Sequence, residues 1–153
     1  MSNKLTVTEL RALKGTRKIV MCSAFDYFNA KACEAAGIDA VVTAGNYINY
    51  FVRGRVTAND DTLEDGLLAL EGVRNGAPNT FTIVRPPFSD EFNGIEQTLS
   101  ISSKLYAAGA DAIKLQGTSD TKLKKMEAMT EEGIPVGAHI GLMPRFTTWI
   151  GGF

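Results

Sequence analysis

Short apolar runs recur along this chain, and each follows closely on a stretch that ends near a glycine. The pattern is clearest in four segments, which read EAAGIDAVVTAG, VRNGAPNTFTIV, YAAGADAIKLQG and EEGIPVGAHIG. Runs this short suit strands buried on both faces better than helices. The glycines stand where a helix needs a left-handed residue just past its end, and they are Gly37, Gly76, Gly109 and Gly133.

Helical spacing fills the intervals between these runs. Leu63, Leu67 and Leu70 recur at steps of four and three, behind Thr62 as a predicted N-cap with Asp65 three residues on. Similar spacings predict helices around residues 95–106 and 123–129, and two more in TVTELRALKG and FNAKACEAAG. Three lysines are predicted to form the solvated face of the last helix, and they are Lys122, Lys124 and Lys125. A loop is predicted at Asn59, Asp60 and Asp61.

With KIVMCSA as the first strand and residues 80–84 as the third, the chain alternates five strands with helices. This order predicts one α/β domain over residues 1–153 with a parallel sheet. Two architectures fit, a doubly wound sheet and part of an eightfold barrel, and both place functional residues at the carboxyl ends of the strands. No G-x-G-x-x-G or P-loop follows any strand, which weakens a nucleotide-binding interpretation.

Composition and charge argue against several classes of function. The 153 residues are 44% hydrophobic and 22% charged with a net charge of −1, which is typical of a globular protein and offers no footprint for nucleic acid. No apolar run approaches the roughly 20 residues of a membrane span, and the N-terminus lacks a signal-peptide pattern, so we expect a cytoplasmic protein. Cys22 and Cys33 are expected to be buried thiols rather than a disulfide or metal site.

Polar residues follow or interrupt the predicted strands, where burying a charge is costly unless the charge has a partner. Lys114 lies between Ile113 and Leu115 and faces away from them, which favours a functional residue, although a solvated side chain also fits. His139, the one histidine, fits a structural role as well as a catalytic one. Arg85 follows the third strand, where either a site role or a surface carboxylate explains it. Asp26 is predicted to cap the next helix.

Several segments resemble ketopantoate hydroxymethyltransferase in register across nearly the whole chain. They are KIVMCSAFDYFNAKACEAAG, AGIDAVV, GADAIKLQG and GIPVGAHIGLMPR followed by IGGF. The resemblance implies a (β/α)8 TIM barrel of the phosphoenolpyruvate/pyruvate superfamily, assembled as a homo-oligomer. It implies a reaction in which magnesium-bound 2-oxoisovalerate forms an enolate that attacks the one-carbon unit of methylenetetrahydrofolate, giving ketopantoate for pantothenate biosynthesis.

Only some of the functional residues that the resemblance implies are present in this sequence. The family's Gly-Asp-Ser, with a metal-associated Asp, falls on Ala44, Gly45 and Asn46. A second metal-associated Asp falls on Arg85. The family's Lys-Leu-Glu-Gly keeps its lysine as Lys114 but has Gln116 for the third carboxylate, and His139 is kept.

Without those carboxylates, magnesium lacks its usual ligands, and we expect neither a metal site nor another cofactor. The pocket is predicted to bind a small 2-oxo acid or other carboxylate through Arg85 and Lys114, with Asn46 and Gln116 as neutral donors. His139 and Lys114 are the catalytic candidates. The alternative is a non-catalytic partner or scaffold subunit of the same fold.

The length of the sequence indicates how much of a barrel it can form. An eightfold barrel takes about 250 residues, whereas this sequence has 153 and covers about five β/α units. The family's proton-abstracting glutamate belongs to the part not covered. A truncated sequence of a longer protein, a second chain that completes the barrel and a self-associating half-barrel each fit, and we favour the first two.

Overall fold

Five short apolar segments pair side by side as parallel strands of one sheet. The structure is a computed structural model that describes residues 4–55, 59–143, 146, 149 and 151. The strands are β1 (Met21–Ser23), β2 (Ala40–Ala44), β3 (Phe81–Arg85), β4 (Ala112–Gln116) and β5 (Val136–His139). The helices are α1 (Val7–Ala12), α2 (Tyr27–Ala35), α3 (Leu63–Gly76), α4 (Ile95–Ala107) and α5 (Asp120–Glu131). A π-helical turn (Ile48–Val52) and a 3-10 helix (Ser89–Phe92) complete the elements.

Strand order decides between the two predicted architectures. The order in the sheet is β1-β2-β3-β4-β5, the same as in the sequence, and every pairing is parallel. A doubly wound sheet reverses its order at a switch point. A barrel adds each strand beside the last, as this sheet does. The described sheet is therefore five consecutive strands of a barrel-type fold.

Local capping explains where the helices begin. Thr6 and Thr62 each form a capping box, with Glu9 and Asp65 as the reciprocal partners. The carboxylate of Asp26 accepts a hydrogen bond of 2.7 Å from the backbone N–H of Asn29, so the predicted capping role of Asp26 is confirmed. These caps fix the polypeptide directly after β1 and directly before α3.

Helices α2–α5 cover one face of the sheet. Because side chains alternate along a strand, Val84 of β3 and Ile113 and Leu115 of β4 point to this face and pack against Leu105 of α4 and Met129 of α5. A second cluster joins Val41 of β2 to α2 and α3. This layer buries the largest side chains of the core and holds the strands in register.

The opposite, inward face changes character along the strands. At the amino end, Val7 and Leu10 of α1 pack against Ala40, Phe81 and Ala112. An open apolar cavity of about 580 Å³ adjoins these residues. At the carboxyl end, the inward positions carry the polar side chains of β3, β4 and β5. The inward face is therefore apolar at the amino ends of the strands and polar at their carboxyl ends, which form the rim.

The two edge strands of the sheet differ from their predictions. β5 was predicted to be buried on both faces, but three of its four residues are half-buried and one is exposed. β1 is three residues long rather than seven, and its residues are exposed, including Cys22. Among the described strands only β2 pairs with β1, so the other edge of β1 has no strand partner there. The expectation that Cys22 is buried was wrong for this reason, whereas Cys33 on α2 is buried.

Two further expectations were wrong. Gly76 was predicted to take a left-handed conformation, but it lies within α3, and its φ is not positive. Lys125 was predicted to be solvated, but it is 2% exposed, because it lies one helical turn before Met129 and shares its buried side of α5. Gly37, Gly109 and Gly133 do have positive φ values, as predicted.

Within the described residues, no helix is both long enough and apolar enough to cross a membrane.

Candidate functional site

The predicted site residues gather at the carboxyl end of the sheet. Lys114 and Gln116 lie two residues apart on β4 and therefore point to the same, inward face. Gln116 stands beside His139 in the register of β4 and β5. The pairing of Val84 with Ile113, continued by one residue, places Arg85 beside Lys114. The structure thus brings together the four strand residues that sequence analysis singled out.

Burial differs among these side chains. Gln116 is 5% exposed, whereas Lys114 and His139 are half-buried. Lys114 is in register with Gly137, which adds no side chain beside it. Lys114 and His139 consequently present the accessible polar groups of β4 and β5 at this rim.

Arg85 is almost completely buried, at 4% exposed. Its Nη2 donates to Asp61 Oδ2 at 2.9 Å and to Asn46 Oδ1 at 3.1 Å. Its Nη1 donates to the carbonyl oxygen of Pro86 at 2.9 Å. A guanidinium in such a place needs a counter-ion, and the carboxylate of Asp61 supplies it from inside the protein rather than from the surface.

Asp61 is the residue that sequence analysis missed. It was assigned only to a loop, but its side chain is fully buried and also accepts a hydrogen bond of 3.1 Å from the backbone N–H of Phe88. Burial raises the pKa of Asp61 above that of an ordinary aspartate, and the nearby Arg85 and Phe88 N–H act in the opposite direction. The acidic run before the N-cap of α3 was the signal available in the sequence.

Gly45, at the end of β2, is closely surrounded. A Cβ at this position would stand 2.9 Å from the backbone nitrogen of Gly66, 3.1 Å from Asp61 Oδ2 and 3.1 Å from Asp65 Cβ. These distances are shorter than ordinary contacts between side chains. Position 45 therefore has no room for a side chain in this backbone arrangement.

A second polar network lies outside the buried pair. Arg53 donates two hydrogen bonds of 2.6 Å to Asp65 and one of 2.8 Å to Asn49. Asn49 donates to Asp60, which also pairs with Arg55. Arg53 holds the pKa of Asp65 below its usual range. This network fixes the π-helical turn against the start of α3.

An aromatic group stands over the ends of β1 and β2. Phe25 and Phe51 stack with ring centroids 4.1 Å apart, and Tyr47 meets Phe25 edge-on. The hydroxyl of Tyr47 donates to Ser23 Oγ at 3.0 Å. This apolar wall was not predicted, since its members are scattered over two loops.

Among the described residues, no three His, Cys, Asp or Glu side chains are grouped as a metal site would require. The carboxylate of Asp61, which lies beside Gly45, is bonded to Arg85 and to the backbone N–H of Phe88.

Solved structures define the class of this fold. The structure of 2,3-dimethylmalate lyase, a PEP mutase/isocitrate lyase superfamily member, superposes with a TM-score of 0.66 at 20% identity, over 86% of this chain and 51% of that chain. The chain has the α/β fold of that superfamily and corresponds to about half of its barrel. The predicted fold class is confirmed.

Sequence comparison then gives the family. Residues 4–153 match the family model of ketopantoate hydroxymethyltransferase. A 3-methyl-2-oxobutanoate hydroxymethyltransferase of Exiguobacterium sp. is 38% identical over 139 residues, which are 90% of this chain and 50% of that protein. The enzyme of that name from Kosmotoga olearia is 34% identical over 149 residues, which are 97% of this chain and 55% of that protein. The chain belongs to the ketopantoate hydroxymethyltransferase family, and it spans about half the length of these curated relatives.

Proposed function

We propose that the carboxyl end of this sheet binds a small 2-oxo acid and does so without the magnesium ion of the family. The observation that carries the proposal is the placement of Lys114, Gln116 and His139 on one inward face at adjoining register positions. A 2-oxo acid presents a carboxylate and a keto oxygen, and these three side chains offer one cation and two groups able to form hydrogen bonds. The relatives' name, 3-methyl-2-oxobutanoate hydroxymethyltransferase, supports this class of ligand.

The residues at the family metal positions do not suit magnesium. Gly45 has no side chain, Gln116 offers a neutral amide, and Arg85 places a guanidinium where a carboxylate belongs. Magnesium is held mainly by carboxylates and water and is repelled by a neighbouring cation. Asp61 does not replace the missing ligands, because its carboxylate is already neutralised by Arg85. The proposed reaction therefore uses no metal ion.

Lys114 is the cation best placed to meet the ligand's carboxylate. Sequence analysis gave that role to Arg85 and Lys114 together, but Arg85 is buried and bonded to Asp61, Asn46 and Pro86. Lys114 is half-buried at the open rim. Gln116 and His139 lie one layer further along the strands, where the keto oxygen of a ligand held by Lys114 would be.

We propose further that the reaction is that of the family. A base removes the C3 proton of the 2-oxo acid, the resulting enolate carbon forms the new carbon–carbon bond to the methylene carbon of methylenetetrahydrofolate, and one water supplies the hydroxyl group as tetrahydrofolate is released. Negative charge develops on the keto oxygen as the enolate forms, and fixed donors aimed at that oxygen stabilise it. Gln116 and His139 supply such donors, while Lys114 holds the carboxylate of the ligand. The family resemblance places the base that accepts this proton in the half of the barrel that the chain does not span.

Isothermal titration with 3-methyl-2-oxobutanoate, with and without magnesium chloride, tests the proposal. We expect the same affinity in both buffers. Lys114→Met keeps the length of the side chain and removes its charge, and we expect at least tenfold weaker binding, or about 1.4 kcal/mol. Lys124→Met on the exposed side of α5 is the matched control. Binding that requires magnesium, or that survives Lys114→Met unchanged, would contradict the proposal.

A second candidate function is a non-catalytic subunit that pairs with another copy of the chain or with a chain that completes the barrel. The exposed apolar edge favours it, since Ile19, Val20 and Met21 are 43%, 52% and 55% exposed. Titration separates the two candidates, because a scaffold has no affinity for 2-oxo acids with or without magnesium.

A further inference from the structure

We infer that Asp61 is a positioning residue of this site. Its carboxylate is the permanent partner that holds Arg85 across the ends of β2 and β3, and it thereby keeps the guanidinium of Arg85 from pairing with the ligand. The effect on the ligand rests on the proposed function, whereas the link between Asp61 and Arg85 does not. Nothing in the family resemblance assigns a role to this aspartate.

The first observation is the number of segments that the pair connects. Arg85 donates to Asn46 just past β2, to Pro86 just past β3, and to Asp61 just before α3. Asp61 in turn accepts from the backbone N–H of Phe88. One ion pair therefore ties together the polypeptide after two neighbouring strands and the start of a helix.

The second observation is the space that the carboxylate occupies. Asp61 Oδ2 lies 3.1 Å from the point where Gly45 would carry a Cβ. The absence of a side chain at Gly45 and the seating of Asp61 are thus two parts of one arrangement. Asp61 and Asn46 both accept hydrogen bonds from Arg85, and Asp61 fills the space beside Gly45. These four residues therefore contact one another at the family metal position.

The third observation is electrostatic. The side chains of Arg85 and Asp61 are 5% and 0% exposed, so neither charge is solvated and each depends on the other. A ligand carboxylate that reached Arg85 would have to displace a fully buried aspartate held by two donors. The paired guanidinium consequently contributes little net charge to the ligand space.

Chemical rescue tests the pairing directly. Asp61→Ala removes the carboxylate and leaves Arg85 facing a void of about the size of a formate ion. We expect a loss in melting temperature on the order of 10 °C. Sodium formate should recover much of it, whereas sodium chloride at the same ionic strength should not. The control variant Asp61→Ala/Arg85→Met lacks the guanidinium and should show no recovery specific to formate.

A double-mutant cycle covers the case in which Asp61→Ala does not fold. Asp61→Asn and Arg85→Met each leave one buried charge alone, whereas the double variant leaves none. We expect the double variant to melt above both single variants. Additive losses, or an absence of rescue in a folded Asp61→Ala, would overturn the assignment of a permanent pair.

Ligand affinity supplies the measurement that a purely structural role would not move. Asp61→Asn leaves the guanidinium without its counter-ion, so we expect 3-methyl-2-oxobutanoate to bind at least threefold more tightly, a gain absent from the Asp61→Asn/Arg85→Met variant. Unchanged affinity in Asp61→Asn would reduce Asp61 to a structural residue. A tenfold loss in the folded double variant would make Arg85 a ligand anchor. If the unmodified chain binds no 2-oxo acid, the proposed function fails, while formate rescue still decides the pairing.

Discussion

Gly45 and Asp61 share one space, since the Cβ that Gly45 lacks would stand 3.1 Å from the carboxylate oxygen Oδ2 of Asp61. The same Cβ would lie 2.9 Å from the backbone nitrogen of Gly66. The end of β2 and the start of α3 therefore approach so closely that a side chain at position 45 displaces either the helix or the buried aspartate. The glycine at position 45 is therefore a condition of the packing around Asp61.

Gly45→Ala is expected to lower the free energy of unfolding by roughly 1–3 kcal/mol, because the added methyl group overpacks a buried site. Gly137→Ala on β5 is the matched control, since a Cβ at that position would have no other atom within 4 Å and the φ of Gly137 is not positive. Urea denaturation followed by circular dichroism measures both. Equal losses in the two variants would show that the contact at position 45 is unimportant.

Gly76→Ala is expected to be more damaging than Gly72→Ala, although both residues lie in α3. A Cβ at Gly76 would meet the carbonyl oxygen of Tyr27 at 2.3 Å, which forces α2 and α3 apart. At Gly72 the nearest atom is 3.4 Å away, and alanine gains up to about 1 kcal/mol of helix propensity. We expect a loss of roughly 3 kcal/mol for the first variant and little change or a gain for the second. Thermal melts compare them, and a Gly76→Ala variant as stable as Gly72→Ala would refute this account.

Gly76 also shows how far local patterns reach. The sequence predicted a glycine near the end of a helix, and a left-handed conformation is the common reason for one. Here the reason is the approach of a second helix, which depends on residues nearly fifty positions away. Gly37, Gly109 and Gly133 followed the local rule and were predicted correctly.

The candidate site shows the same difference between residues that local patterns place and residues that long-range contacts place. Alternation along β4 was enough to place Lys114 and Gln116 on one face, and parallel pairing placed His139 beside them. The partner of Arg85 was not predictable in this way, because Asp61 lies 24 positions away in a loop whose conformation the pattern of apolar residues does not determine. The weak burial of β1 was missed because apolarity does not distinguish an edge strand from a central one.

Asp39 is expected to make stability depend on acidic pH. Its carboxylate is bonded to the guanidinium of Arg17 and to the backbone N–H of Val20, and these bonds lower its pKa to about 2. An unfolded aspartate titrates near 3.9. Because the folded pKa is the lower one, the stabilisation is fully present above about pH 4 and is lost as the pH falls toward 2.

Asp39→Asn should therefore melt below the unmodified protein at pH 7, and the difference should shrink between pH 4 and pH 2. Glu127→Gln, on the exposed side of α5, is the control and should show no such trend. Melting curves across this range provide the measurement. A difference that stays constant with pH would mean that the ion pair does not stabilise the fold.

On the second candidate function, in which copies of the chain pair with one another, Val20→Lys is expected to reduce that pairing. Val20 is 52% exposed beside Ile19 and Met21, next to the edge strand β1, and unpaired apolar edges favour pairing between molecules. Its backbone N–H and carbonyl are bonded to Asp39 and Ala40, so a lysine side chain leaves these bonds intact. Val52→Lys, at a residue 72% exposed on the π-helical turn, adds the same charge away from the edge. Light scattering after size exclusion should give a lower mass for Val20→Lys and an unchanged mass for Val52→Lys, whereas equal masses for all three proteins would exclude β1 as the contact between copies.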